Sequence, residues 1–354
     1  MRALISGGAG FIGRHLATEL RLQGHDLIAL DLLSPQVHRE PEAARAGFPG
    51  RMVVGDVCDA DAWARCRDAD VVIHLAAETG TGQSMYQQDR YRQVNVEGTR
   101  LAAREAARRG VPLVAISSRA VYGEGARVEA DGTRTYDGVV RPGSRAADSR
   151  EDDPHAPVSV YGETKSEGEQ VIAAELGDRG SATVIRPQNV IGAGQALHNP
   201  YTGVLAAFLA CLKEGRAISV YGDGAQTRDF VHVTDLTAMI SWAVANPAPA
   251  ADGPRIINCG SGVRTTLREL ADHAVAASLS APVDIVHVDV HRAGDIRDAC
   301  ADLTRARELG APSPRWCAAD AVADFVRTSW DQPGARADAW DRALDELRDR
   351  GLTS

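Results

Sequence analysis

Short apolar runs and longer helical segments alternate through the first half of the chain. The runs of strand length read RALISGG, DLIALD, RMVVGD, DVVIHLAA and PLVAISS. Between them, segments such as GRHLATELRLQG and VNVEGTRLAAREAARRG carry apolar residues at the spacing of an amphipathic helix. Strands that alternate with helices in this way pair in parallel, through right-handed crossovers. The pattern therefore predicts an α/β fold built on a doubly wound parallel sheet.

The pattern changes near the middle of the chain. Residues 124–157 are rich in Gly, Asp, Arg and Pro, which predicts a long charged loop. A helix from about Ser159 to Leu176 and a strand at ATVIRP are expected next. After Asn189 the periodicity becomes irregular, which predicts a smaller second domain. Two later segments, DFVHVTDL and RIINCG, are expected to return to the sheet.

Composition and charge exclude several classes of function. The net charge of −9 leaves no broad basic surface for nucleic acid or an anionic membrane. The six cysteines form no CxxC or Cys/His cluster, which predicts buried thiols in a reducing cytoplasm and no metal site. The longest apolar run, VLAAFLACL, is far shorter than a membrane span. We therefore expect a cytoplasmic protein that binds neither nucleic acid nor membrane.

A glycine motif follows the first predicted strand. ISGGAGFIG places Gly7, Gly10 and Gly13 between this strand and a helix, the context in which a helix N-terminus binds a pyrophosphate. Asp31 ends the second predicted strand, and its carboxylate would accept hydrogen bonds from the adenosine ribose and repel a 2′-phosphate. The motif predicts a Rossmann-like dinucleotide site for NAD rather than NADP. The alternative for Asp31 is a solvated acid at a strand end.

A tyrosine and a lysine four residues apart share a helix face in SVYGETKSE. Arginine supplies nearly every positive charge, since only Lys165 and Lys213 among 39 basic side chains are lysines. We expect the Lys165 ammonium to lower the pKa of Tyr161 from its usual value of about 10 and make it a general base. Lys165 is also expected to bond the nicotinamide ribose. The alternative is an ordinary surface pair.

Ser118, in ISSRAVYG, is expected to share the proton of a substrate hydroxyl with Tyr161. A serine nucleophile would need a histidine base and an elbow such as GxSxG, and neither accompanies this segment.

Together these motifs resemble the extended short-chain dehydrogenase/reductases that act on nucleotide sugars, to about residue 330. GGAGFIG, GDV, HLAA, NVEGT, SSRAVYG and YGETK are similar to the cofactor half of that family. RPQNVIGAG, VYGDGAQTRDFVHVTDL, NCGSG and RAGDIR are similar to its nucleotide-sugar half.

The resemblance implies a set of ligand-binding residues. Asp56 and Val57 would flank the adenine, and Asn95 would support the active site. The remaining implied cofactor residues are Gly7, Gly10, Phe11, Ile12, Gly13, Asp31, Leu75, Ala76, Ala77, Ser117, Tyr161, Lys165 and Pro187. The residues implied for the substrate, most of them for its diphosphate, are Gln83, Met85, Ser118, Asn189, Asn199, Val220, Arg228, Arg292 and Asp295.

The resemblance also implies a reaction. The 4,6-dehydratases of the family carry Thr-Asp-Glu where Ser118-Arg119-Ala120 stand, so this chain lacks their acid and base. We expect instead a 4-epimerase that works through a transient 4-keto sugar and consumes no external reductant. Within the family, AAETGTGQSMY and the segment 186–205 are most like enzymes of dTDP-linked 6-deoxy sugars, and Met85 would suit the 6-methyl group. A 4-ketoreductase and a non-catalytic dinucleotide sensor remain alternatives.

We expect the chain to divide into three parts and to form a homodimer. A dinucleotide-binding domain would cover residues 1–187, with a return at about 230–258, and a smaller substrate-binding domain 188–330. A helical extension would cover 331–354. It carries Trp340, Leu344 and Leu347 at helical spacing. For the dimer, the predicted contact is the small-residue face of the helix near 95–109. That face consists of Leu101, Ala102, Glu105 and Ala106.

Overall fold

The structure is a computed structural model that describes residues 1–199, 203–290 and 294–352. Its first half holds, in chain order, β1 (Arg2–Ser6), α1 (Phe11–Leu22), β2 (Asp26–Asp31), α2 (Pro41–Ala46), β3 (Arg51–Val54), α3 (Ala60–Ala64), β4 (Val71–His74), α4 (Thr81–Ser84), α5 (Gln88–Arg92), a π-helical turn (Gln93–Glu97), α6 (Gly98–Arg109), β5 (Leu113–Ile116), a 3-10 turn (Arg119–Tyr122), β6 (Arg127–Val128), β7 (Arg134–Thr135), β8 (Arg145–Ala146), α7 (Val160–Leu176) and β9 (Ala182–Pro187).

The second half continues in the same order. It holds β10 (Asn189–Ile191), α8 (Val204–Glu214), β11 (Ile218–Tyr221), β12 (Thr227–Arg228), β13 (Phe230–His232), α9 (Val233–Ala245), a 3-10 turn (Ala250–Asp252), β14 (Arg255–Cys259), β15 (Thr265–Thr266), α10 (Leu267–Ala277), β16 (Ile285–Val288), α11 (Thr304–Glu308), α12 (Ala318–Ser329) and α13 (Ala337–Asp349). In the described part of the chain, no helix is both long and apolar enough to cross a membrane.

A seven-stranded parallel sheet forms the centre of the molecule, in the order β14-β9-β5-β4-β1-β2-β3. The chain winds outward in one direction from β1 to β3 and in the other from β4 to β14. The strand order therefore reverses between β1 and β4, and ligands of such sheets bind at the carboxyl ends of the strands at this point. The predicted doubly wound, Rossmann-like sheet is confirmed.

Alternating side chains of the strands build a core on each face of the sheet. Ala3 and Ile5 of β1 pack with α1 and α9, whereas Leu4 faces α3, α6 and α7. All three side chains are fully buried. A strand covered on both faces must be apolar at every position, which explains why RALIS lacks the alternation of a half-exposed strand.

A separate core supports the smaller region of the second half. It is built by α8, α10 and α12 with β11, and Phe208, Leu209, Leu270 and Phe325 are fully or almost fully buried in it. Val220 of β11 exposes 1% of its surface and belongs to this core. The C-terminal helix α13 contributes Trp340 to its edge. The side chains of Leu344 and Leu347 lie outside the described residues.

Three expectations about local structure were wrong in part. The charged loop contains the three-stranded sheet β7-β6-β8, stabilised by pairs such as Arg134 with Asp153. Of the two segments expected to return to the large sheet, only β14 does so, because β13 pairs with β10. On α6, Ala102 and Ala106 are fully buried within the subunit, so they are not free for a contact with a second copy.

Candidate active site

The glycine loop between β1 and α1 is shaped by close backbone contacts. Gly7 has φ +72°, and a Cβ there would lie 2.7 Å from the Ala76 nitrogen. A Cβ on Gly13 would overlap the Gly7 carbonyl oxygen. The helix begins at Phe11 and Ile12 without a side-chain cap, so its first N–H groups are available to an anion. The loop therefore fits a pyrophosphate.

Asp31 lies against this loop at the end of β2. Its Oδ2 accepts a hydrogen bond from Ala9 N at 3.0 Å, and its Oδ1 accepts one from Leu33 N at 2.8 Å. The carboxylate is buried, and His38 Nε2 lies 3.6 Å away. Asp31 is therefore not a solvated acid. Each carboxylate oxygen keeps further acceptor capacity for a ribose hydroxyl.

The segments predicted to surround the cofactor follow β3 and β4. Asp56 Oδ1 accepts from Cys58 N at 2.8 Å, and Val57 packs so close to Gly98 that a Cβ there would lie 2.9 Å from its Cγ2. Leu75 N donates to Ser6 O at 3.0 Å, which places Leu75, Ala76 and Ala77 beside the end of β1.

Asn95 joins two parts of the site. Its Oδ1 accepts from Glu78 N at 2.8 Å and its Nδ2 donates to Glu78 O at 3.1 Å. The same Nδ2 donates to Thr164 Oγ1 on α7 at 3.0 Å. Asn95 lies in the π-helical turn, a local irregularity that is frequent at functional sites. Its amide holds the segment after Ala77 against the helix that carries Tyr161.

Tyr161, Lys165 and Ser118 come together at the start of α7. Ser159 caps this helix, since its Oγ accepts from Gly162 N at 3.2 Å. The Ser118 hydroxyl lies close enough to the Tyr161 phenol to lower its pKa, and Lys165 Nζ donates to Ile116 O at 3.0 Å. Burial lowers the pKa of Lys165 to about 8, although the charge of Glu169 opposes this shift.

The expected effect of Lys165 on Tyr161 was wrong for this structure. Burial raises the pKa of the Tyr161 phenol, against a hydrogen bond from Ser118 and the positive charge of Arg119, which both lower it. The Lys165 ammonium is bonded to the Ile116 carbonyl instead. The cation that lowers the pKa of the phenol is therefore Arg119 rather than Lys165, and its effect is outweighed by burial. A clue was present in the sequence, because Arg119 directly follows Ser118.

Ser117 lies beside Lys165 and is bonded to a different partner. Its hydroxyl is hydrogen-bonded to Glu169, whose carboxylate also accepts from Arg186 at 2.9 and 2.7 Å. Arg186 donates in turn to the Tyr122 hydroxyl at 2.7 Å. This buried network beneath Lys165 was missed from the sequence. Pro187 ends β9 next to it, in register with Cys259.

The residues predicted for the substrate occupy different environments. Gln83 is buried and accepts from Gln36 Nε2 at 2.9 Å, whereas Met85 is partly exposed after α4. Asn199 is buried. Asn189 Oδ1 is buried and has no hydrogen-bond partner among the described residues. Val220 faces the second core rather than an open surface. Arg292 lies outside the described residues.

Arg228 is held by the backbone around it. Its guanidinium donates to Thr227 O at 2.8 Å, to Arg297 O at 3.1 Å and to Ile296 O at 2.6 Å. Asp295 Oδ1 lies 4.0 Å from Arg228 Nη2. The segment that contains residues 295–297 is thereby attached to β12.

The sheet, the glycine loop and the Tyr-Lys helix define a dinucleotide-binding α/β enzyme. The profile of the "NAD dependent epimerase/dehydratase family" matches residues 3–260. A dTDP-L-rhamnose 4-epimerase of Burkholderia thailandensis is 38% identical over 89% of this chain and 91% of its own. A UDP-glucose 4-epimerase of Mycolicibacterium smegmatis is 33% identical over 92% and 97%. The structure of the Thermus thermophilus UDP-glucose 4-epimerase in complex with NAD superposes with a TM-score of 0.77 at 25% identity, covering 94% of this chain and 100% of its own.

The chain therefore belongs to the NAD-dependent epimerase/dehydratase family. The predicted family, the assignment as an enzyme of epimerase type and the NAD cofactor are confirmed.

Proposed function

We propose that the protein is an NAD-dependent 4-epimerase of a nucleotide sugar, a dTDP- or UDP-linked hexose or deoxyhexose such as dTDP-L-rhamnose. The observation that carries this proposal is the grouping of Ser118, Tyr161 and Lys165 at the start of α7, in a site with Arg119 and Ala120 in place of two carboxylates. The similarity to a dTDP-L-rhamnose 4-epimerase supports the choice of sugar.

Tyr161 acts as the general base on the sugar 4-hydroxyl, and Ser118 shares that proton through its hydrogen bond to the phenol. When bound, NAD⁺ would supply the hydride acceptor and donor for C4 of the sugar. Tyr161 then gives its proton back to the C4 oxygen. Since the oxidant is regenerated within one turnover, no external reductant is consumed.

Lys165 supports this chemistry from the next turn of α7 after Tyr161. Its ammonium is anchored on the Ile116 carbonyl at the end of β5, with Glu169 one helical turn further along α7. We propose that it holds the nicotinamide ribose in place. The cofactor would further be held by the glycine loop, by Asp31, by Asp56 and Val57, and by the segment 75–77.

On the substrate side, we propose that Asn189, Asn199, Arg228 and Asp295 hold the nucleoside diphosphate, together with Arg292. The unpartnered Oδ1 of Asn189 supports this role, because a buried amide oxygen without a donor costs about 1–3 kcal/mol until a ligand supplies one.

The division into domains 1–187, 188–330 and 331–354 remains a proposal, as do the cytoplasmic location and the homodimer. The two separate hydrophobic cores of the large sheet and of the smaller region support the division. Since Ala102 and Ala106 are buried, a dimer contact through α6 would have to use the exposed residues of this helix.

Incubation with a panel of dTDP- and UDP-sugars, without added nicotinamide, tests the proposal. We expect purified protein to carry NAD and to convert one sugar into its C4 epimer, detected by proton NMR. Assay of the nucleotide released on denaturation checks the cofactor. A stoichiometric requirement for NADPH during turnover would identify a 4-ketoreductase instead.

A further inference from the structure

The C-terminal segment, described for residues 331–352, is anchored on the end of α8. Lys213, one of the two lysines of the chain, donates from its Nζ to Gln332 O at 3.0 Å. Ala337 N, at the start of α13, donates to Glu214 Oε1 at 3.0 Å. These two hydrogen bonds to backbone atoms fix the place from which α13 runs.

From this anchor the segment reaches two places on the proposed substrate side. Gly334 lies against His198, since a Cβ there would lie 2.9 Å from the His198 Cβ. His198 directly precedes the buried Asn199. At the far end of α13, the guanidinium carbon of Arg350 lies 4.2 Å from the centre of the Tyr86 ring. The segment therefore connects the smaller region with the segment that follows β4.

The contact between Arg350 and Tyr86 is a cation–π interaction. Arg350 Nη2 also donates to Glu346 Oε1 at 3.2 Å, one turn earlier on α13, and this bond orients the guanidinium over the ring. Arg350 is exposed, whereas Tyr86 is only partly exposed. An exposed arginine that is oriented in this way can be replaced without opening a core.

The α4 segment that carries Tyr86 lies beside the start of the catalytic helix. A Cβ on Gly294 would lie 3.2 Å from Thr81 Cγ2 and 3.6 Å from Ser159 Cβ, so these three residues meet. Ser159 caps α7, two residues before Tyr161. Because the proposed reaction puts C4 of the sugar at the Tyr161 phenol, the α4 segment borders the space for the sugar.

We propose that Arg350 is a positioning residue that acts through Tyr86 and holds the segment 81–86 at the sugar end of the substrate site. This inference rests on the proposed function. The segment carries Gln83 and Met85, which the family resemblance implies for the substrate. A substrate that needs the ordered segment can lose, in a variant, no more binding free energy than the contact contributes to this order.

Steady-state kinetics test the proposal with the sugar that the wild type epimerises. Arg350→Gln should raise KM by about twofold to fivefold, the factor that an exposed cation–π contact can supply. The kcat value, the NAD content and the affinity for free dTDP or UDP should not change, because the segment borders the sugar. Arg350→Lys keeps a cation and should restore most of the wild-type KM. Arg348→Gln, on the same helix and paired with Asp345, is the matched control and should behave like wild type.

Two further measurements separate positioning from a general loss of stability. In a Tyr86→Leu background, which lacks the ring, Arg350→Gln should raise KM no further, because the two side chains act as one unit. Hydrogen exchange of the backbone amides of residues 81–86 needs no turnover. It should be faster in Arg350→Gln than in wild type and unchanged in Arg348→Gln.

Several results would overturn the inference. These are an unchanged KM in Arg350→Gln, unchanged exchange of the segment, or an equal loss of affinity for the free nucleoside diphosphate and the sugar conjugate. A lower melting temperature with loss of NAD would make the contact structural only. A wild type that epimerises none of the sugars would instead contradict the proposed function, and hydrogen exchange would still decide whether Arg350 holds the segment.

Discussion

The cofactor side and the substrate side of the site differ in how their polar groups are satisfied. On the cofactor side, Asp31 accepts two backbone hydrogen bonds, Asn95 makes three, and Lys165 is bonded to a carbonyl. On the proposed substrate side, Gln83 and Arg228 are hydrogen-bonded to protein groups, whereas the buried Asn189 Oδ1 has no partner among the described residues. The protein satisfies the polar groups of the cofactor side itself, but it leaves one buried acceptor on the proposed substrate side unsatisfied.

This difference separates two tasks. A cofactor that stays bound through many turnovers is best served by a rigid site, whose groups are held before binding. In the proposed reaction, a substrate must enter, turn its 4-keto form and leave. Polar groups that the ligand alone satisfies give affinity for the diphosphate without fixing the sugar. The comparison therefore predicts that variants on the two sides change different measurements.

The catalytic phenol at the junction should give the largest effect. Tyr161→Phe keeps the ring but removes the acid-base oxygen, so kcat should fall by about 10²–10⁴ while bound NAD is retained. Steady-state kinetics and the nucleotide content of the purified variant check this. Tyr91→Phe is a matched control, because its ring lies 6.5 Å from that of Tyr161 and its hydroxyl only donates to backbone and side-chain oxygens nearby. A fully active Tyr161→Phe would end the assignment of the base.

The positions of the predicted cofactor residues in the fold could be predicted well because their signals are local in sequence. The glycine loop, Asp31 and the Tyr161-Lys165 pair each lie within one or two elements, and the strand pattern places these elements on one sheet. The structure brings them to the carboxyl ends of neighbouring strands. Helical spacing alone puts Lys165 one turn from Tyr161.

Arg119, Glu169 and the environment of Tyr161 could not be predicted in the same way. The balance of burial against charge decides the pKa of the phenol, and neither quantity is encoded in a short motif. The network of Glu169 joins Ser117, Arg186 and Tyr122, which are distant in sequence. The charged loop was misjudged because its short strands are stabilised by arginine-carboxylate pairs rather than by apolar alternation.

Removing the Asp31 carboxylate should change cofactor selectivity, by a smaller factor than Tyr161→Phe changes kcat. Asp31→Ala deletes the charge that repels a 2′-phosphate, so the ratio of the NADP and NAD dissociation constants should fall by about tenfold. Both affinities should weaken, because Ala9 N and Leu33 N lose their acceptor. Fluorescence titration of the cofactor-stripped protein checks the ratio. Asp26→Ala, at the exposed other end of β2, should leave it unchanged.

The smallest predicted effect is a shift in the pH dependence of kcat, through the pKa of Lys165. Its pKa of about 8 would fall further in Glu169→Gln, since the Glu169 charge raises it. If the ammonium form is the active one, the alkaline limb of kcat should move to lower pH by about one unit. The kcat-pH profile measures this shift. Glu167→Gln, on the same helix but exposed and paired with Arg92, is the matched control and should keep the wild-type limb.

Protein stability gives this last prediction an independent measurement. The folded pKa of Lys165 lies below its unfolded value of 10.5, so the cost of burying the ammonium is full below about pH 8 and disappears as the pH rises towards 10.5. Glu169→Gln enlarges this cost and also leaves Arg186 without its buried carboxylate. Its loss of unfolding free energy relative to wild type should therefore be largest below about pH 7, where Lys165 is protonated in both folded proteins, and narrow as the pH rises through about 8 towards 9. A deficit that stays constant over this range would mean that Glu169 acts on Arg186 alone and not on Lys165.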